Sequence, residues 1–357
     1  MTAAERAAQF AAWAGVRYPI LNAPMADIAG PELAAAVSEA GGLGVLAADF
    51  YSADDIRRAV ATVRRLTNKP FAVHVRAETL RPLDTAEVNR MNEALADLKA
   101  DLKADLGAEL TTPLPDFKAQ FNALIELQVP FVYVSFGGLR EEHVERLQAV
   151  GIRMIAAATC LREVKVMRSA EADAIVVQGT EAGGPRLNFE VPDEAAQVGL
   201  LSLVGPAFRV ATVPVIASGG IATGAQAAAA LVAGASAVEL GTAFLRTTES
   251  RAHPALKAAL PFLTDTAPGW EKTGSGRLTR ARVSGLTQAL AGADIEAAPY
   301  PEMWTVMRSV ELAARRENRD DLMEMPCGQG APLVREGSAA DVVARLVKEC
   351  ADAGVAL

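Results

Sequence analysis

Two short stretches in the second half of the chain decide the fold: Val213–Gly220 reads VPVIASGG, and Ala237–Thr242 reads AVELGT. Each is a short apolar run that ends in small residues, which is typical of buried parallel strands. Glycines at the strand ends allow backbone N–H groups to approach a ligand closely. Two successive strands of this kind, separated by a helical segment, predict the phosphate site that follows the last two strands of a (β/α)8 barrel.

Further apolar runs precede these two and alternate with amphipathic helical patterns. The predicted strands are Ile20–Ala23, Leu43–Ala47, Phe71–Val75, Phe131–Ser135, Met154–Ala157, Ala174–Val177, Pro214–Ala217 and Ala237–Leu240. The helical patterns between them include Pro31–Ala40, Ala53–Leu66, Arg140–Ala149, Leu161–Ala170 and Gly224–Ala233. Regular alternation implies a parallel sheet, and eight repeats predict an α/β fold of the TIM-barrel type. An open doubly wound sheet is the alternative, but such a sheet usually has an early dinucleotide-binding fingerprint after a strand. The GGLG motif at 41–44 precedes a strand, so it does not qualify as that fingerprint.

Two segments do not fit the regular alternation of strands and helices. Residues 79–117 follow the third predicted strand and include DLKADLKADL at Asp97–Leu106, which indicates a solvated, amphipathic helical insertion. Residues 250–357 carry helical patterns at Met303–Glu317 and Ala339–Ala351. We therefore expect a barrel over 1–249, with the insertion near 79–117, and a C-terminal helical extension over 250–357 packed on the barrel.

Composition narrows the class of protein. The chain has 357 residues, of which 51% are hydrophobic and 22% charged, so it can bury a large core. A net charge of -8 gives no reason to expect a nucleic-acid partner. Cys160, Cys327 and Cys350 are far apart and predict neither disulfides nor a metal site. No apolar run is long enough to cross a membrane, and the charged start does not resemble a signal peptide, so we expect a soluble cytoplasmic protein.

The barrel hypothesis converts the strand positions into candidate site residues, because barrel active sites form at the C-terminal ends of the strands. The residues at those ends are Ala23–Met25 after the first strand, His74 at the end of the third, Gln178–Arg186 after the sixth, Ser218–Gly220 after the seventh, and Gly241 and Thr242 after the eighth. Tyr133 and Ser135, near the end of the fourth strand, are further candidates for the same cavity.

The motifs at these positions resemble the nitronate monooxygenase family, formerly called 2-nitropropane dioxygenases. The similarity runs in order from about Tyr18 to the C-terminus. Its motifs are NAPM (22–25), AGGLGVL (40–46), VQGTEAGG (177–184), VIASGGIATG (215–224), ELGTAFLRTTES (239–250) with AHP (252–254), and CGQGAPL (327–333). Several also resemble the flavin-dependent enoyl reductases of the same FMN-barrel superfamily. YPEMW (300–304) and CGQG are more similar to the nitronate enzymes.

The resemblance implies tightly bound FMN. The residues implied to contact it are Ala23, Met25, His74, Gln178, Gly179, Gly184, Ser218, Gly219, Gly220, Gly241, Thr242 and Gln329. The glycine turns at 218–220 and 241–242 would hold the phosphate, since consecutive N–H groups at a helix start bind an anion without a lysine. The Gln178 amide can both donate to and accept from the polar edge of the flavin. For Met25, simple core packing is the alternative.

One position departs from the family pattern. EAGG is usually followed by a histidine, the expected catalytic base, whereas this chain has Pro185, which cannot transfer a proton. His74 is the first candidate replacement, either as a base or as a substitute for the family's asparagine in holding FMN. Arg186 is the second, either clamping an anionic substrate or lying on the surface of a loop. His143 is expected on a solvated helix, and His253 at a helix start.

Three functions follow from these residues. The first is oxidation of alkyl nitronates by O2 to a carbonyl compound and nitrite, because a nitronate is already a carbanion equivalent and needs a base less. The second is an NAD(P)H-dependent reductase of quinones or enoyl thioesters. The third is a non-catalytic FMN-binding protein. All three involve a soluble protein with small-molecule partners, and the sequence leaves the oligomeric state open.

Overall fold

The computed structural model describes residues 1–77, 82–103 and 115–357. Strands are numbered in chain order. The barrel strands are β1 Ile20–Asn22, β2 Gly44–Ala47, β3 Phe71–Arg76, β4 Phe131–Ser135, β5 Arg153–Ala158, β6 Ala174–Gln178, β8 Val215–Ser218 and β9 Ala237–Leu240. All their pairings are parallel, in the order β1-β9-β8-β6-β5-β4-β3-β2, and a parallel bridge between Leu21 and Leu43 joins the two ends. The predicted TIM barrel is confirmed, with strand ends shifted by at most one residue.

Helices follow the strands as the periodicity predicts. They are α1 Ala3–Ala14, α2 Pro31–Glu39, α3 Ala53–Leu66, α4 Thr85–Ala94, α5 Ala96–Asp101, α6 Phe117–Leu127, α7 Glu141–Ala149, α8 Leu161–Ser169, α9 Leu200–Ala211, α10 Gly224–Ala233, α11 Pro254–Ala259, α12 Gly285–Gly292, α13 Glu302–Arg316 and α14 Ala339–Asp352. Reciprocal capping boxes begin α3 at Ser52, α10 at Thr223 and α14 at Ser338. Each cap satisfies backbone N–H groups that a helix start would leave unpaired. No helix in the described ranges has the length and apolar character needed to cross a membrane.

The barrel interior changes from apolar to polar along the strands. Ala72, Val176, Ile216 and Ala237 belong to a buried cluster inside the barrel. Because side chains alternate along a strand, the next inward residues lie two positions on. These residues are His74, Gln178, Ser218 and Glu239. All four are buried and polar, and they line the cavity at the C-terminal mouth.

The insertion is less solvated than its charge pattern suggests. Residues 79–81 and 104–114 of the predicted segment lie outside the described residues; the remainder contains α4, α5 and the start of α6. Met91, Leu95 and Leu102 are buried in a second core shared with α13. Lys99, within the DLKADLKADL repeat, is fully buried, and its ammonium donates to Oδ1 of Asn92 at 2.7 Å. One face of the insertion therefore packs on the C-terminal extension.

The sequence predicted a helical extension, but the structure shows that the extension also contains strands. It contributes the antiparallel strands β10 Pro268–Glu271, β11 Thr279–Arg282 and β12 Met325–Pro326, and β11 also pairs with β7, Gly184–Pro185, from the loop after β6. These strands are short and carry glycine, proline and charged residues, so they lack the apolar alternation that identifies a strand. The last helix, α14, packs on α2 and α10. The chain after residue 250 thus covers the barrel mouth and also supplies a helix of the barrel's outer ring.

Candidate active site

A cavity lies at the C-terminal mouth of the barrel, under α13. Its volume accessible to the centres of water molecules is about 240 Å³. One water needs only about 10–15 Å³ by this measure, so the space suits a multi-ring ligand. The predicted site residues that line it are Ala23, Met25, His74, Gln178, Gly184, Ser218, Gly219, Gly220, Gly241 and Thr242. From α13, Trp304, Met307 and Arg308 close the cavity on the side away from the barrel.

Unpaired backbone amides border one side of the cavity. Gly219 and Gly220 have φ values of 123° and 69°, which favour glycine. In the described part of the chain, their N–H groups and those of Gly241 and Thr242 donate to no protein acceptor. The hydroxyl of Thr242 accepts from the N–H of Gly328 at 2.9 Å, which ties the CGQG turn to this point. Four unpaired N–H groups at two adjacent strand ends make an anion-binding concavity.

A buried polar layer lies beneath the amides. Ser218 was predicted to hold a phosphate, but its side chain points into the barrel and donates to Oε1 of Glu239 at 2.7 Å. The hydroxyl of Tyr133 approaches the same oxygen at 3.5 Å, while Oε2 of Glu239 has no hydrogen-bond partner among the described residues. Burial raises the pKa of Glu239 to about 7, against the lowering effect of the two hydroxyls. Glu239 was not among the predicted site residues. It lies two positions after the inward-facing Ala237 on the same strand, so the alternation of side chains indicates that it also faces inward.

His74 lies inside the barrel, within β3 and not at its end. Its Nε2 is 2.8 Å from Oγ of Ser135, and its ring meets that of Tyr133 edge-on. Nδ1 is buried, has no hydrogen-bond partner in the described residues, and lies 3.9 Å from Oδ1 of Asp49. Burial, with a smaller effect of Arg76, lowers the pKa of His74 to about 3. The imidazole is therefore neutral at ordinary pH, a hydrogen-bonding group and a weak base.

Two cavity residues beside His74 were not predicted. Burial raises the pKa of Asp49 to about 6, with Arg76 acting in the opposite direction. The Arg76 guanidinium lies over the rings of Phe136, Tyr300 and Phe50 at 4.0, 4.9 and 5.2 Å. Stacking on aromatic faces stabilises a partly desolvated cation. Asp49 follows β2, and Arg76 is the last residue of β3. Both therefore lie at the C-terminal ends of barrel strands, where the other site residues were predicted.

Arg186 was predicted either to clamp a substrate in the cavity or to lie on the surface of a loop, and the structure shows neither. It is only 2% exposed, yet it does not line the cavity. Its guanidinium donates to the carbonyls of Gln178, Gly179 and Ala196 and to Oε1 of Gln178 at 3.0 Å. Since these acceptors occupy its donors, Arg186 holds the loop after β6 and orients the Gln178 amide. Nε2 of Gln178 in turn donates to the carbonyl of Pro185 at 3.2 Å.

Two other predicted contacts, Gly179 and Gln329, are not among the residues that line the cavity. Gly179 is not among the described lining residues, and a Cβ there would lie 2.6 Å from Cβ of Leu200, so its small size serves packing. Gln329 also lies off the cavity; its N–H donates to the carbonyl of Glu181 at 3.0 Å, and its neighbour Gly330 does the lining. The CGQG turn therefore supports the loop after β6 from behind.

The two remaining histidines lie outside the cavity lining. His253 begins α11, as predicted, with Nδ1 accepting from the N–H of Ala255 at 3.2 Å. His143 is half-buried and not fully solvated, because its ring packs edge-on against Phe117 and Phe121. Neither can replace the histidine that Pro185 displaces.

Pro185 lies at the cavity wall, in the small antiparallel sheet, where it pairs with Thr279 of β11. Two carboxyl groups from the extension line the same wall: Glu311 on α13 and Glu324, which precedes β12. Burial, together with Glu271 and Glu311, raises the pKa of Glu324 to about 8. The barrel rule does not find these groups because they come from the extension. The wall beside Pro185 thus carries acids in place of the missing histidine.

The chain is similar to known proteins over almost its whole length. The family model for nitronate monooxygenase matches residues 8–349. A nitronate monooxygenase of Pseudomonas aeruginosa is 36% identical over 340 residues, covering 94% of this chain and 97% of that protein. The structure of a nitroalkane oxidase from Streptomyces ansochromogenes is similar with a TM-score of 0.88 at 34% identity, covering 96% and 99% of the two chains. FabK from Thermotoga maritima, an enoyl reductase, gives 0.74 at 26% identity, covering 96% of each chain. The chain belongs to the nitronate monooxygenase family and is a flavin-dependent oxidoreductase.

Proposed function

We propose that this chain is an FMN-dependent enzyme that oxidises alkyl nitronates with O2 to a carbonyl compound and nitrite. The observation that carries the proposal is the group of unpaired amides at Gly219, Gly220, Gly241 and Thr242 beside a buried polar layer. The amides suit the terminal phosphate of FMN, because such a nest binds an anion without a cationic side chain.

The polar layer suits the ring system. Nδ1 of His74 and Oε2 of Glu239 are buried without hydrogen-bond partners among the described residues, and both side chains line the cavity. Buried polar atoms are normally paired, so these two fit the donors and acceptors on the edge of a flavin. Gln178, fixed by Arg186, would present its amide to the same edge, and Ala23 and Met25 would pack against the ring.

A bound flavin would supply the redox chemistry, the acceptance of electrons from the nitronate and their transfer to O2. A nitronate has already lost its α-proton, so Pro185 and the weakly basic His74 are compatible with its oxidation. The nitronate is also an anion. Arg76 places a positive charge at the inner wall of the cavity, where low dielectric strengthens its attraction. The chain's residues thus bind and orient an anion without having to deprotonate it.

A reductase of quinones or enoyl thioesters, driven by NAD(P)H, is the second candidate. The likeness to FabK over almost the whole chain favours it. A non-catalytic flavin protein is the third.

One experiment separates these functions. Purified holoprotein is first identified by its visible spectrum and by release of FMN on denaturation, then titrated without oxygen with propionate 3-nitronate and, in parallel, with NADH and NADPH. We expect the nitronate to bleach the flavin, and readmitted O2 to restore it with release of nitrite. Bleaching by NAD(P)H alone would establish the reductase. A normal flavin content that no donor reduces would establish the non-catalytic protein.

A further inference from the structure

Glu324 lines the cavity together with Pro185, the residue that occupies the position of the family's histidine. Pro185 pairs with Thr279 across the sheet. The Thr279 hydroxyl donates to the carbonyl of Arg277 and lies next to the carboxyl of Glu324. All three of Pro185, Thr279 and Glu324 line the cavity. The sheet therefore brings a carboxyl from the distant end of the chain to the place where the family usually has a histidine.

The carboxyl of Glu324 occupies a site shaped for it. A Cβ at Gly274 would lie 2.3 Å from Oε1 of Glu324 and 2.8 Å from Oε2, so only glycine leaves the carboxyl where it is. Oε1 is buried and has no hydrogen-bond partner among the described residues. The backbone N–H of Glu324 donates to Oε2 of Glu311 at 3.1 Å, which fixes the start of the side chain. A carboxyl oxygen without a hydrogen-bond donor has its lone pairs available to accept a proton.

Resting on the proposed function, we propose that Glu324 is the catalytic base that removes the α-proton of a neutral nitroalkane, so that the enzyme makes its own nitronate. The carboxylate takes the proton from the α-carbon. The C–H electron pair becomes the C=N bond, and a nitro oxygen receives the displaced π pair. The products are a nitronate anion and a protonated Glu324, so no oxidant or reductant enters this step. Oxidation of the nitronate then follows as for an added nitronate.

The surroundings of Glu324 suit this role. Burial raises its pKa most, Glu271 on β10 and Glu311 on α13 raise it further, and Arg315 on α13 and the Thr279 hydroxyl lower it, giving about 8. A base works best when its pKa lies near the operating pH. An ordinary exposed glutamate is a far weaker base towards a carbon acid. Ionisation of Glu324 therefore predicts that proton removal increases with pH up to a plateau above about 8.

Other cavity acids fit the role less well. Asp49 lies beside His74 and Arg76 after β2, whereas Pro185 follows β6, and three strands separate β2 from β6 in the barrel order. Glu239 points into the barrel, where Oε1 already accepts from Ser218 and Tyr133. Asp27 is at the cavity lining but is 42% exposed and paired with Arg308 at 3.0 Å. Asp49→Asn is the rival variant and Asp27→Asn the matched control.

The test compares nitroethane with its own anion, ethyl nitronate. Exchange of the α-protons of nitroethane in D2O is followed by NMR without oxygen, so that this readout does not depend on flavin turnover. Oxidation of ethyl nitronate is followed separately by nitrite release. For Glu324→Gln we expect at least a hundredfold loss of exchange, the usual range for a general base, with nitronate oxidation within threefold of wild type. Gly274→Ala, which displaces the flexible carboxyl without changing it chemically, should also lose exchange, and Glu324→Asp should recover part of it.

The outcomes distinguish the two proposals. If the wild type oxidises ethyl nitronate but does not accelerate exchange, or if Asp49→Asn and not Glu324→Gln abolishes exchange, Glu324 is not the base and the proposed function stands. Equal loss of both readouts in Glu324→Gln at normal flavin content also contradicts a specific role in proton removal. If the wild type does not oxidise the nitronate, the proposed function itself fails. If Glu324→Gln is purified without bound flavin, Gly274→Ala is tested in its place, because that variant leaves the carboxyl itself chemically unchanged.

Discussion

Inside the barrel, the hydroxyl of Ser218 donates to Oε1 of Glu239 at 2.7 Å, and no cationic side chain takes part in the contact. The carboxyl is only 3% exposed, and its second oxygen has no partner in the described part of the chain. A buried carboxyl without a counter-charge favours its protonated form. With a Glu239 pKa of about 7, Ser218 and Glu239 therefore form a pair that is neutral below pH 7, next to the strand ends that we assign to the phosphate.

The flavin-free protein should lose stability with rising pH because of Glu239. The pKa of this carboxyl is about 7 in the folded chain against 4.5 ordinarily. Its contribution to the free energy of unfolding is complete below pH 4.5 and is lost as the pH rises from 4.5 through 7. The loss is about 3 kcal/mol, because each unit of pKa difference between the folded and unfolded chain corresponds to about 1.36 kcal/mol. Glu239→Gln should gain stability over wild type at pH 8 but not at pH 4.5, as measured by urea unfolding. Glu336→Gln, an exposed control, should keep the wild-type slope. An unchanged slope in Glu239→Gln would show that the buried carboxyl does not titrate as described.

Gly220 should be essential for flavin binding because of its backbone. Its φ is 69°, and a Cβ there would lie 2.9 Å from Cβ of Glu181. Gly151 has nearly the same φ, 72°, but a Cβ there meets nothing within 4 Å. Both alanine variants incur left-handed strain of about 1 kcal/mol, but only Gly220→Ala should weaken FMN binding, by tenfold or more. Fluorescence titration with FMN measures this, and equal affinities in the two variants would remove Gly220 from the phosphate site.

The sequence predicted those parts of the site that depend on strand ends. The glycines at 219, 220 and 241 are local in sequence and could be identified by position alone. Glu239 was also accessible, because it alternates with the inward-facing Ala237. Glu324 was not, since it reaches the cavity through β11 and β12, strands too short for a periodic signal. Arg186 was misinterpreted because a loop arginine looks the same in sequence whether carbonyl groups or solvent surround it.

His74 should act as a neutral hydrogen-bonding group. With a pKa of about 3, it stays uncharged from pH 5 to 9, so nitronate oxidation should show no inflection near the ordinary histidine pKa of 6.5. His74→Asn should keep flavin affinity within a few fold, while His74→Leu should lose about tenfold, near 1.4 kcal/mol, because Ser135 and the ligand both lose a partner. The measurements are the pH profile of kcat/KM and FMN titration. A wild-type inflection near 6.5 that disappears in His74→Asn would instead identify a titrating base.

Arg186→Met decides between a structural and a substrate-binding arginine. A substrate clamp predicts a higher KM for the nitronate with an unchanged Tm. The structure predicts the opposite, because removing the guanidinium leaves the buried carbonyls of Gln178, Gly179 and Ala196 without their donor. The loss should be about 3 kcal/mol or more, with Tm falling and flavin content falling with it as Gln178 loses its anchor. Arg186→Lys should recover little, since an ammonium cannot reproduce a planar fork of donors. Arg162→Met, an exposed arginine whose partner Glu190 is 3.4 Å away, is the control and should leave Tm, flavin content and KM unchanged. If Arg186→Met raises KM while Tm and flavin content stay at wild-type values, the guanidinium contacts substrate in solution, and the hydrogen bonds that occupy it here must open during binding.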